Sequence, residues 1–258
     1  MIDTPPKISV ITPSLNQAQH LEATIRSVLD QEYPNLEYII IDGGSDDGSV
    51  EIIKEYSDRL SYWISEPDGG QTDALIKGFN RATGEVMGWL NSDDLYYPYT
   101  LHEVGETFVR NPQWQVVYGD LLLIDDKSHP IRVQKEIGFN RFIWMYAHNY
   151  IPQPSTFWRR GIYEQVQGLD AKWDLAMDAD LWIRFAERTA LHHVPRVWSA
   201  FRYYPEQKNS RLRDRSNEED VLIRSRYLPF EPTGKRFLKK MTAKGLRVAL
   251  KTVQGEYW

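Results

Sequence analysis

Cysteine is absent from this sequence of 258 residues. Its absence excludes a fold held together by disulfides, a cysteine nucleophile and a zinc site built from thiolates, and it suits a reducing compartment. No apolar run approaches the roughly 18 residues that cross a membrane. The N-terminal stretch MIDTPPKISVITPS also lacks the basic segment and apolar core of a secretion signal. We therefore expect a cytoplasmic protein.

Two phosphate-binding motifs are missing as well. There is no G-x-x-x-x-G-K-[ST] loop, and the glycine-rich stretch DGGSDDGS does not have the G-x-G-x-x-G spacing of a dinucleotide-binding unit. Nucleotide hydrolysis at a P-loop and hydride transfer from a dinucleotide are therefore poor explanations of this chain.

Charge is distributed unevenly. Residues 233–253 contain seven basic residues and no acid, whereas the rest of the chain contains 24 basic and 36 acidic residues. Because a nucleic-acid binder needs a dominant basic face, this balance argues against a nucleic-acid partner. The C-terminal stretch 233–258 is predicted to be a basic helical tail that packs on the domain or lies on an anionic inner membrane face. Its apolar residues at rough helical spacing are Phe237, Leu238, Met241, Val248 and Ala249.

Short apolar runs alternate with longer periodic segments in the first half of the chain. This alternation predicts an α/β fold in which a mostly parallel central sheet is flanked by helices. The predicted strands are Ile8–Thr12, Tyr38–Ile41, Tyr62–Ser65, Val86–Leu90 and Val116–Leu123. The predicted helices are Leu21–Gln31, Val50–Tyr56 and Thr72–Ala82.

The pattern becomes irregular after about residue 125. An aromatic segment at 139–158 either forms a platform for a sugar acceptor or belongs to the core. A helix in AMDADLWIRFAERT and a strand in HHVPRVWSAFRYY follow. In that strand we expect one of His192 and His193 to be buried and the other exposed. The second half is expected to pack onto the first within one domain over residues 1–232.

Polar turns follow four of the predicted strands: TPSLN (12–16), DGGSDDGS (42–49), SEPDGGQTD (65–73) and LNSDD (90–94). The carboxyl ends of parallel strands face one crevice, so we expect the four turns to line one pocket. Asp42 follows directly after a predicted strand. Its carboxylate can accept hydrogen bonds from the N–H of a pyrimidine imide or from ribose hydroxyls. Alternatively, the second turn is an ordinary connection in which Asp46 or Asp47 caps the next helix.

The pair Asp93 and Asp94 is the most informative of these features. Two adjacent carboxylates at the end of a buried strand repel each other and lose hydration unless a cation compensates them. A hard divalent ion is the natural compensator, because Mg²⁺ is usually held by one or two carboxylates together with substrate phosphates. The alternative is that the two acids cap a helix starting near Pro98.

Together these motifs resemble glycosyltransferase family 2, a group of inverting enzymes with the nucleotide-sugar-binding GT-A fold. The resemblance is dense from Lys7 to Asp125 and resumes in QPSTFWRRGIYEQVQGLD and MDADLWIRF. It implies a donor linked to UDP, GDP or dTDP and a glycan or lipid-linked acceptor of polysaccharide or glycolipid assembly. Residues 1–125 correspond to the nucleotide-sugar half of such a domain and residues 126–232 to its acceptor half.

The resemblance also implies roles for single residues in donor binding. The first turn borders the nucleoside, Asp42 contacts the base, and the third turn lies beside the ribose or the sugar. In NSDD, Asp94 binds Mn²⁺ or Mg²⁺ with the help of Asp93, and Asn91 stands where many relatives have an acid. The full donor-binding set is Thr12, Pro13, Ser14, Asn16, Asp42, Asp68, Asp73, Asn91, Ser92 and Asp93.

The catalytic base is implied in the helix LAMDADLWIRF. Asp178 matches the family's base and Asp180 its second acid, with the reverse assignment open, while Met177 replaces a common Glu. Alternatively, Asp178 has no catalytic role and is an acidic residue near a helix N-terminus, where the helix dipole stabilises it. Tyr203 and Tyr204 stand where relatives often carry a His. Alternatively, one of the nearby cations contacts the donor phosphate in place of that His. The candidates are Lys208, Arg211 and Arg213.

Two other functions stay open at this point. A sugar nucleotidyltransferase shares a similar sheet and uses acids to hold Mg²⁺, although ITPSLNQAQHLE lacks the glycines and cations expected for a triphosphate. A carbohydrate-binding relative without turnover is the non-enzymatic alternative, because a fold does not determine function.

Overall fold

A computed structural model of the chain describes residues 5–254, apart from the side chains of residues 209 and 210. Residues 1–4 and 255–258, which the predicted domain and tail include, lie outside the described residues. Over the described range the strands are β1 (Ile8–Ser14), β2 (Leu36–Asp42), β3 (Tyr62–Ser65), β4 (Val86–Trp89), β5 (Leu95–Tyr96), β6 (Val116–Ile124), β7 (Pro130–Gln134), β8 (Thr156–Arg159) and β9 (Leu191–Arg202). The helices are α1 (Ala18–Leu29), α2 (Ser49–Glu55), α3 (Gln71–Arg81), α4 (Thr100–Arg110), α5 (Arg141–Tyr146), α6 (Arg160–Gln165), α7 (Met177–Ala186), α8 (Lys208–Arg211), α9 (Arg213–Tyr227) and α10 (Thr233–Val253).

The strands form a sheet in the order β3-β2-β1-β4-β8-β6-β9-β5, with β7 added beside β6. The first four strands of this order are parallel, and the three helices α1, α2 and α3 connect them. The predicted α/β fold is confirmed, and all five strands and three helices predicted in the first half are present with slightly different ends.

The other half of the sheet is mixed rather than parallel. β8 lies between β4 and β6 and runs antiparallel to both. β9 is parallel to β6, and β5 is antiparallel to β9. β8 was not predicted from the sequence, because its four residues lie inside the aromatic segment, where apolar residues show no period of two.

Two apolar clusters cover the two faces of the sheet. In one of them the ring of Trp89 stacks on that of Trp182 from α7, with centroids 5.6 Å apart. Trp144, Tyr150 and Trp158 are buried in the same cluster. For these three aromatic residues the core interpretation is therefore correct, and the acceptor platform is not.

The predicted tail forms α10, and one face of this helix packs on the domain. Glu136, which is fully buried, accepts hydrogen bonds from Arg247 (2.8 Å) and lies 3.3 Å from the Lys251 ammonium. Some apolar side chains of this helix, such as those of Phe237 and Met241, stay exposed. Among residues 5–254, no helix is long and apolar enough to cross a bilayer.

Candidate active site

The carboxyl edge of the parallel strands places Ser14, Asp42 and Ser65 side by side. Asp42 is fully buried, and its carboxylate accepts hydrogen bonds from the N–H groups of Gly44 (3.1 Å) and Ser45 (2.9 Å) and from the hydroxyls of Ser45 (2.6 Å) and Ser65 (2.7 Å). Asp42 therefore shapes the turn after β2. The Ser14 hydroxyl is buried and has no hydrogen-bond partner within the described part of the chain, which makes it an unsatisfied polar group at this edge.

The first two polar turns are tied to each other. The Asn16 side chain accepts a hydrogen bond from the N–H of Asp46 (3.0 Å). Asp47 accepts hydrogen bonds from the N–H groups of Ala18 (2.9 Å) and Ser49 (3.0 Å), which begin α1 and α2. The N-cap residue of α2 is Gly48, so the capping alternative is wrong as to position, although the Asp47 carboxylate accepts the first N–H of both helices. Farther inside β1, Thr12 and Pro13 are buried.

Glycines let the third turn approach the second. Gly44 and Gly48 have left-handed backbone angles, with φ of 85° and 99°, which a side chain would strain. A Cβ on Gly43 would lie 3.1 Å from the carboxylate of Asp68. Asp68 in turn accepts a hydrogen bond from the N–H of Gly70 (2.8 Å). The acid at 68 thus lies against the backbone of the turn that follows Asp42.

Asp73 faces its own turn. Its carboxylate accepts a hydrogen bond from the N–H of Gly69 (3.0 Å), and the Lys77 ammonium lies 3.4 Å away. The hydrogen bond from Gly69 and the charge of Lys77 lower the pKa of Asp73. The structure therefore places Asp73 in a capping role at the start of α3.

The fourth turn, NSDD, is bonded to three other segments. Asn91 accepts a hydrogen bond from the Gln71 amide (2.8 Å) and donates one to Gln153 (3.2 Å). The carbonyl of Ser92 accepts a hydrogen bond from the hydroxyl of Thr24 in α1 (2.9 Å). The turn is therefore held against α1, α3 and the segment before β8.

A buried arginine lies beside Asp93 and Asp94. Arg202, at the end of β9, is 1% exposed, and its backbone N–H donates a hydrogen bond to Asp94 (2.9 Å). Its guanidinium donates to the carbonyl oxygens of Asp93 (2.8 Å), Asp125 (3.0 Å) and Asp126 (2.9 Å). One buried cation thus serves the acidic turn and the end of β6 together.

The two carboxyls are poorly solvated despite this cation. Burial raises the pKa of Asp94 well above its usual range, and the charge of Asp93 raises it further. Burial also raises the pKa of Asp93, while Arg202 opposes both shifts. A divalent ion was predicted from the sequence as the compensating charge, whereas the structure places Arg202 beside the two acids. The available signal was Arg202, which follows the run VWSAF at the end of the predicted strand.

Tyr204 stands directly beside Asp93. Its hydroxyl donates a hydrogen bond of 3.0 Å to the Asp93 carboxylate, and the ring of His20 lies 5.4 Å from its own. Tyr203, by contrast, is 62% exposed. In the part of the chain that is described, no three His, Asp or Glu side chains are placed to hold a metal ion by themselves.

Asp178 lines a cavity of about 260 Å³ that also contains Asn91, Gln71 and Gln153. It lies in the first turn of α7 and accepts a hydrogen bond from the Asn149 amide (3.0 Å). Burial raises the pKa of Asp178 to about 6. The cavity thus joins the third and fourth turns to a carboxyl that titrates close to neutral pH.

The first and second turns do not line this cavity. They continue the same strand edge through the contacts of Asp42 with Ser65 and of Gly43 with Asp68. The prediction that all four turns enclose one pocket is therefore wrong as stated. The segment before β8 lines the cavity in their place, through residues 151–154.

Asp180 points away from Asp178 and is fully buried. It lies 2.6 Å from the Arg184 guanidinium and 3.7 Å from that of Arg226. Arg184 donates hydrogen bonds to the carbonyl of Gly168 (2.6 Å), which follows α6. The structure therefore places Asp180 in the packing of α6, α7 and α9 and outside the cavity lining.

Glu219 of α9 holds the start of the helix that carries Asp178. Its carboxylate accepts hydrogen bonds from the N–H groups of Asp174 (3.2 Å), Leu175 (2.8 Å) and Ala176 (3.0 Å). Ala176 occupies the N-cap position of α7 and has no side chain that can cap the helix. The capping carboxylate is therefore supplied by Glu219, 43 positions farther along the chain. No local sequence pattern indicates a contact over that separation.

The remaining sequence predictions fall outside the cavity. Lys208 forms an ion pair with Asp174 (2.8 Å), while Arg211 and Arg213 are exposed. His192 stacks on Trp114 with ring centroids 4.1 Å apart, and His193 lies 2.8 Å from Asp120. Both histidines are half-buried, so the expected contrast between a buried and an exposed ring is wrong.

Comparison with known sequences supports the resemblance. A profile described as "Glycosyl transferase family 2" matches residues 9–166. The chain is 29% identical over 245 residues to an uncharacterized glycosyltransferase of Rickettsia typhi, covering 92% of this chain and 73% of the relative. It is 27% identical over 224 residues to one of Rickettsia conorii, covering 83% of this chain but only 37% of that longer relative.

Comparison with solved structures supports the fold. The mannosyltransferase PcManGT from Pyrobaculum calidifontis, in complex with GDP-Man and Mn²⁺, superposes with a TM-score of 0.65 at 17% identity, covering 94% of this chain and 70% of that one. S. aureus TarS (residues 1–349), in complex with UDP-GlcNAc, superposes with a TM-score of 0.63 at 15% identity, covering 78% of this chain and 60% of that one. At such identities the likeness shows a shared GT-A fold.

Proposed function

Since this chain belongs to glycosyltransferase family 2, we propose that it moves one sugar from a nucleotide-sugar donor to a hydroxyl acceptor with inversion at the anomeric carbon. The observation that supports this mechanism is the cavity in which Asp178 faces the turn that contains Asn91. A carboxyl with a pKa of about 6 is mostly ionised at neutral pH and still basic enough to accept a proton.

Asp178 is the proposed general base. The acceptor oxygen attacks the anomeric carbon while its proton passes to the Asp178 carboxylate, and the bond from that carbon to the donor diphosphate breaks with both electrons leaving on oxygen. A positioned base contributes about 10²–10⁴-fold to such a step. Asn149 fixes the carboxylate through its 3.0 Å hydrogen bond. Asp180 supports the base indirectly, by holding α7 through Arg184.

The donor is proposed to lie along the carboxyl edge of β1, β2 and β4. The unsatisfied hydroxyl of Ser14 and the acids of the second and third turns suit the hydroxyl and N–H donors of a nucleoside. Thr12, Pro13 and Asn16 border the nucleoside in this proposal, Asp42 its base, and Asp68 and Asp73 the ribose or the sugar. Donors linked to UDP or GDP are favoured, because the complexes of TarS and PcManGT contain UDP-GlcNAc and GDP-Man.

A divalent ion, Mn²⁺ or Mg²⁺, is proposed to accompany the donor at Asp93 and Asp94. With Asn91, Ser92 and the Tyr204 hydroxyl they offer oxygen ligands only, as these ions prefer. Because no three acidic or histidine side chains converge within residues 5–254, the residues fit an ion whose remaining ligands are donor phosphates and water. Such an ion would neutralise the charge of the departing diphosphate. Arg202 holds the two acids in place for it.

The acceptor is proposed to be a polysaccharide or lipid-linked glycan precursor, and the protein to act in the cytoplasm. Contact of residues 233–253 with the inner face of the membrane fits the exposed apolar side chains of α10 and its lysines. The lack of cysteine is in keeping with a reducing compartment.

The test combines donor binding with transfer. Thermal unfolding is measured with a panel of UDP-, GDP- and dTDP-sugars plus Mn²⁺, and the best donor is then used with glycan acceptors. We expect Asp178→Asn to bind the donor as the parent does and to lose transfer about 10²-fold or more. Asp214→Asn, which changes an exposed acid of α9, is the matched control. No thermal shift with any nucleotide sugar, or unchanged transfer in Asp178→Asn, would contradict the proposal.

A further inference from the structure

A second cavity, larger than the one at Asp178, lies between α5, α9 and α10. Its volume is about 420 Å³. Apolar groups of Met145, Val221 and Phe237 form part of its wall, and the cations Arg236 and Lys240 lie at its edge. No residue assigned to the donor or to the base lines it.

The basic residues of α10 fall into two sets. Lys239 pairs with Glu231, while Arg247 and Lys251 pair with the buried Glu136. In contrast, Lys235, Arg236, Lys240 and Lys244 form no ion pair with another residue of the described range 5–254. Of these four cations, only Arg236 and Lys240 line the cavity. Two uncompensated cations at one cavity favour an anionic ligand, because phosphate oxygens accept charge-assisted hydrogen bonds from such groups.

The apolar part of the cavity continues onto the surface. Phe237 is 64% exposed, Met241 51% and Val221 52%. A simple anion would leave this apolar surface exposed to water. A hydrocarbon chain attached to the anion would cover it, and each Å² of apolar surface removed from water contributes about 25 cal/mol of favourable free energy.

The segment 144–149 separates this cavity from the one at Asp178. Arg224, which lines the larger cavity, donates a hydrogen bond to the carbonyl of Trp144. The Trp144 indole donates to Asn149 (3.2 Å), and Asn149 donates to Asp178 (3.0 Å). A ligand in the larger cavity therefore lies one segment of chain away from the proposed base.

We propose that the cavity between α5, α9 and α10 binds a lipid phosphate, with the phosphate at Arg236 and Lys240 and the hydrocarbon chain along Phe237 and Val221. The role of this cavity as an acceptor site rests on the proposed function, because it assumes that the chain transfers a sugar. The site makes the carrier of the acceptor a phosphate-bearing lipid rather than a free polysaccharide.

The test measures binding of three probes to the whole chain by titration calorimetry in the absence of donor. Farnesyl phosphate carries both the phosphate and the chain, farnesol only the chain, and inorganic phosphate only the anion. We expect farnesyl phosphate to bind at least about tenfold more tightly than either of the others, since each fragment makes only part of the contacts.

Two double variants of equal charge locate the site. Arg236→Gln with Lys240→Gln is expected to weaken farnesyl phosphate about tenfold or more. The control, Lys235→Gln with Lys244→Gln, removes two exposed cations of the same helix that do not line the cavity and is expected to change binding less than about twofold. Phe237→Ser should weaken farnesyl phosphate while leaving inorganic phosphate unchanged.

Three results would overturn the inference: no binding of farnesyl phosphate, equal affinity for inorganic phosphate, or equal weakening by the two double variants. The last of these would indicate general attraction to a basic helix. Because these measurements need no turnover, their failure is distinct from that of the proposed function, which depends on the transfer activity of Asp178→Asn.

Discussion

The backbone N–H of Arg202 donates a 2.9 Å hydrogen bond to Asp94, and both residues are almost completely removed from solvent. The guanidinium of Arg202 simultaneously binds the carbonyl of Asp93 at 2.8 Å. An acidic motif that the sequence suggests as a metal site therefore has its own cation. The protein holds the acids in place with Arg202, and the donor and its ion complete the charge balance.

Replacing Arg202 by Met should destabilise the fold strongly. The substitution removes a buried guanidinium whose charge favours the ionised forms of Asp93 and Asp94. It also leaves the carbonyls of Asp93, Asp125 and Asp126 without this donor, and an unpaired buried polar group typically costs about 1–3 kcal/mol. Urea unfolding measures the change, with Arg196→Met on the exposed part of the same strand as the control. A loss similar to that of the control would contradict a role for Arg202 in compensating the two acids.

The pH dependence of transfer should follow the ionisation of Asp178. The base must be ionised, and burial raises the pKa of Asp178 to about 6, so kcat/KM is expected to rise with pH through about 6 and then level off. The hydrogen bond from Asn149 favours the carboxylate and the charge of Asp220 opposes it. Asn149→Ala should therefore move this limb to higher pH and Asp220→Asn to lower pH. Shifts of the same sign in the two variants would contradict the assignment.

Removing the charge of Asp178 should stabilise the protein at alkaline pH. The carboxyl has a raised pKa in the folded state and an ordinary one near 4 in the unfolded chain, so the folded state loses stability as pH rises from about 4 through about 6. Asp178→Asn should therefore raise the free energy of unfolding by roughly 1–3 kcal/mol at pH 8 and change it little at pH 4. Urea titrations at the two pH values test this, and an equal effect at both would be inconsistent with a half-buried carboxyl of raised pKa.

Loss of the capping carboxylate of Glu219 should affect turnover more than donor binding. Glu219 accepts three N–H groups immediately before α7, and small displacements of a catalytic group can cost up to about 10²-fold in rate. We expect Glu219→Gln to lower kcat about tenfold or more with a donor KM within about twofold of the parent. Faster amide exchange of residues 174–180 should accompany this loss.

Glu218→Gln is the matched control for Glu219, because it makes the same change at the adjacent, exposed position. If both variants lose the same activity, or if exchange at the start of α7 is unchanged in Glu219→Gln, the clamp does not position the base.

Divalent ions should bind through the donor rather than to the protein alone. The melting temperature is expected to rise more when Mn²⁺ and a nucleoside diphosphate are added together than when either is added alone. The reason is that residues 5–254 offer too few side chains to coordinate Mn²⁺ without the phosphates. Asp93→Asn should abolish this joint effect, whereas Asp58→Asn, at an exposed acid after α2, should retain it. A full shift with Mn²⁺ alone would show a preformed metal site instead.

The first half of the fold could be predicted from local sequence patterns. The apolar runs of β1, β2, β3, β4 and β6 and the periodic faces of α1, α2 and α3 all appear where the sequence places them. The linked motifs around Asp42, Asp93 and Asp178 were sufficient to identify the family. Such features depend on residues close together in the chain, and the order of side chains along a strand or helix already decides which of them share a face.

The partners of those residues were decided only by the tertiary structure. Arg202 reaches Asp94 across 108 residues, and Glu219 caps α7 from a separate helix. β8 enters the sheet antiparallel between β4 and β6, two strands that the sequence predicted as consecutive along the chain. The sequence alone determined which groups stand at the strand ends. Their burial, charge partners and pKa values arise from contacts between distant segments, which exist only once the chain has packed.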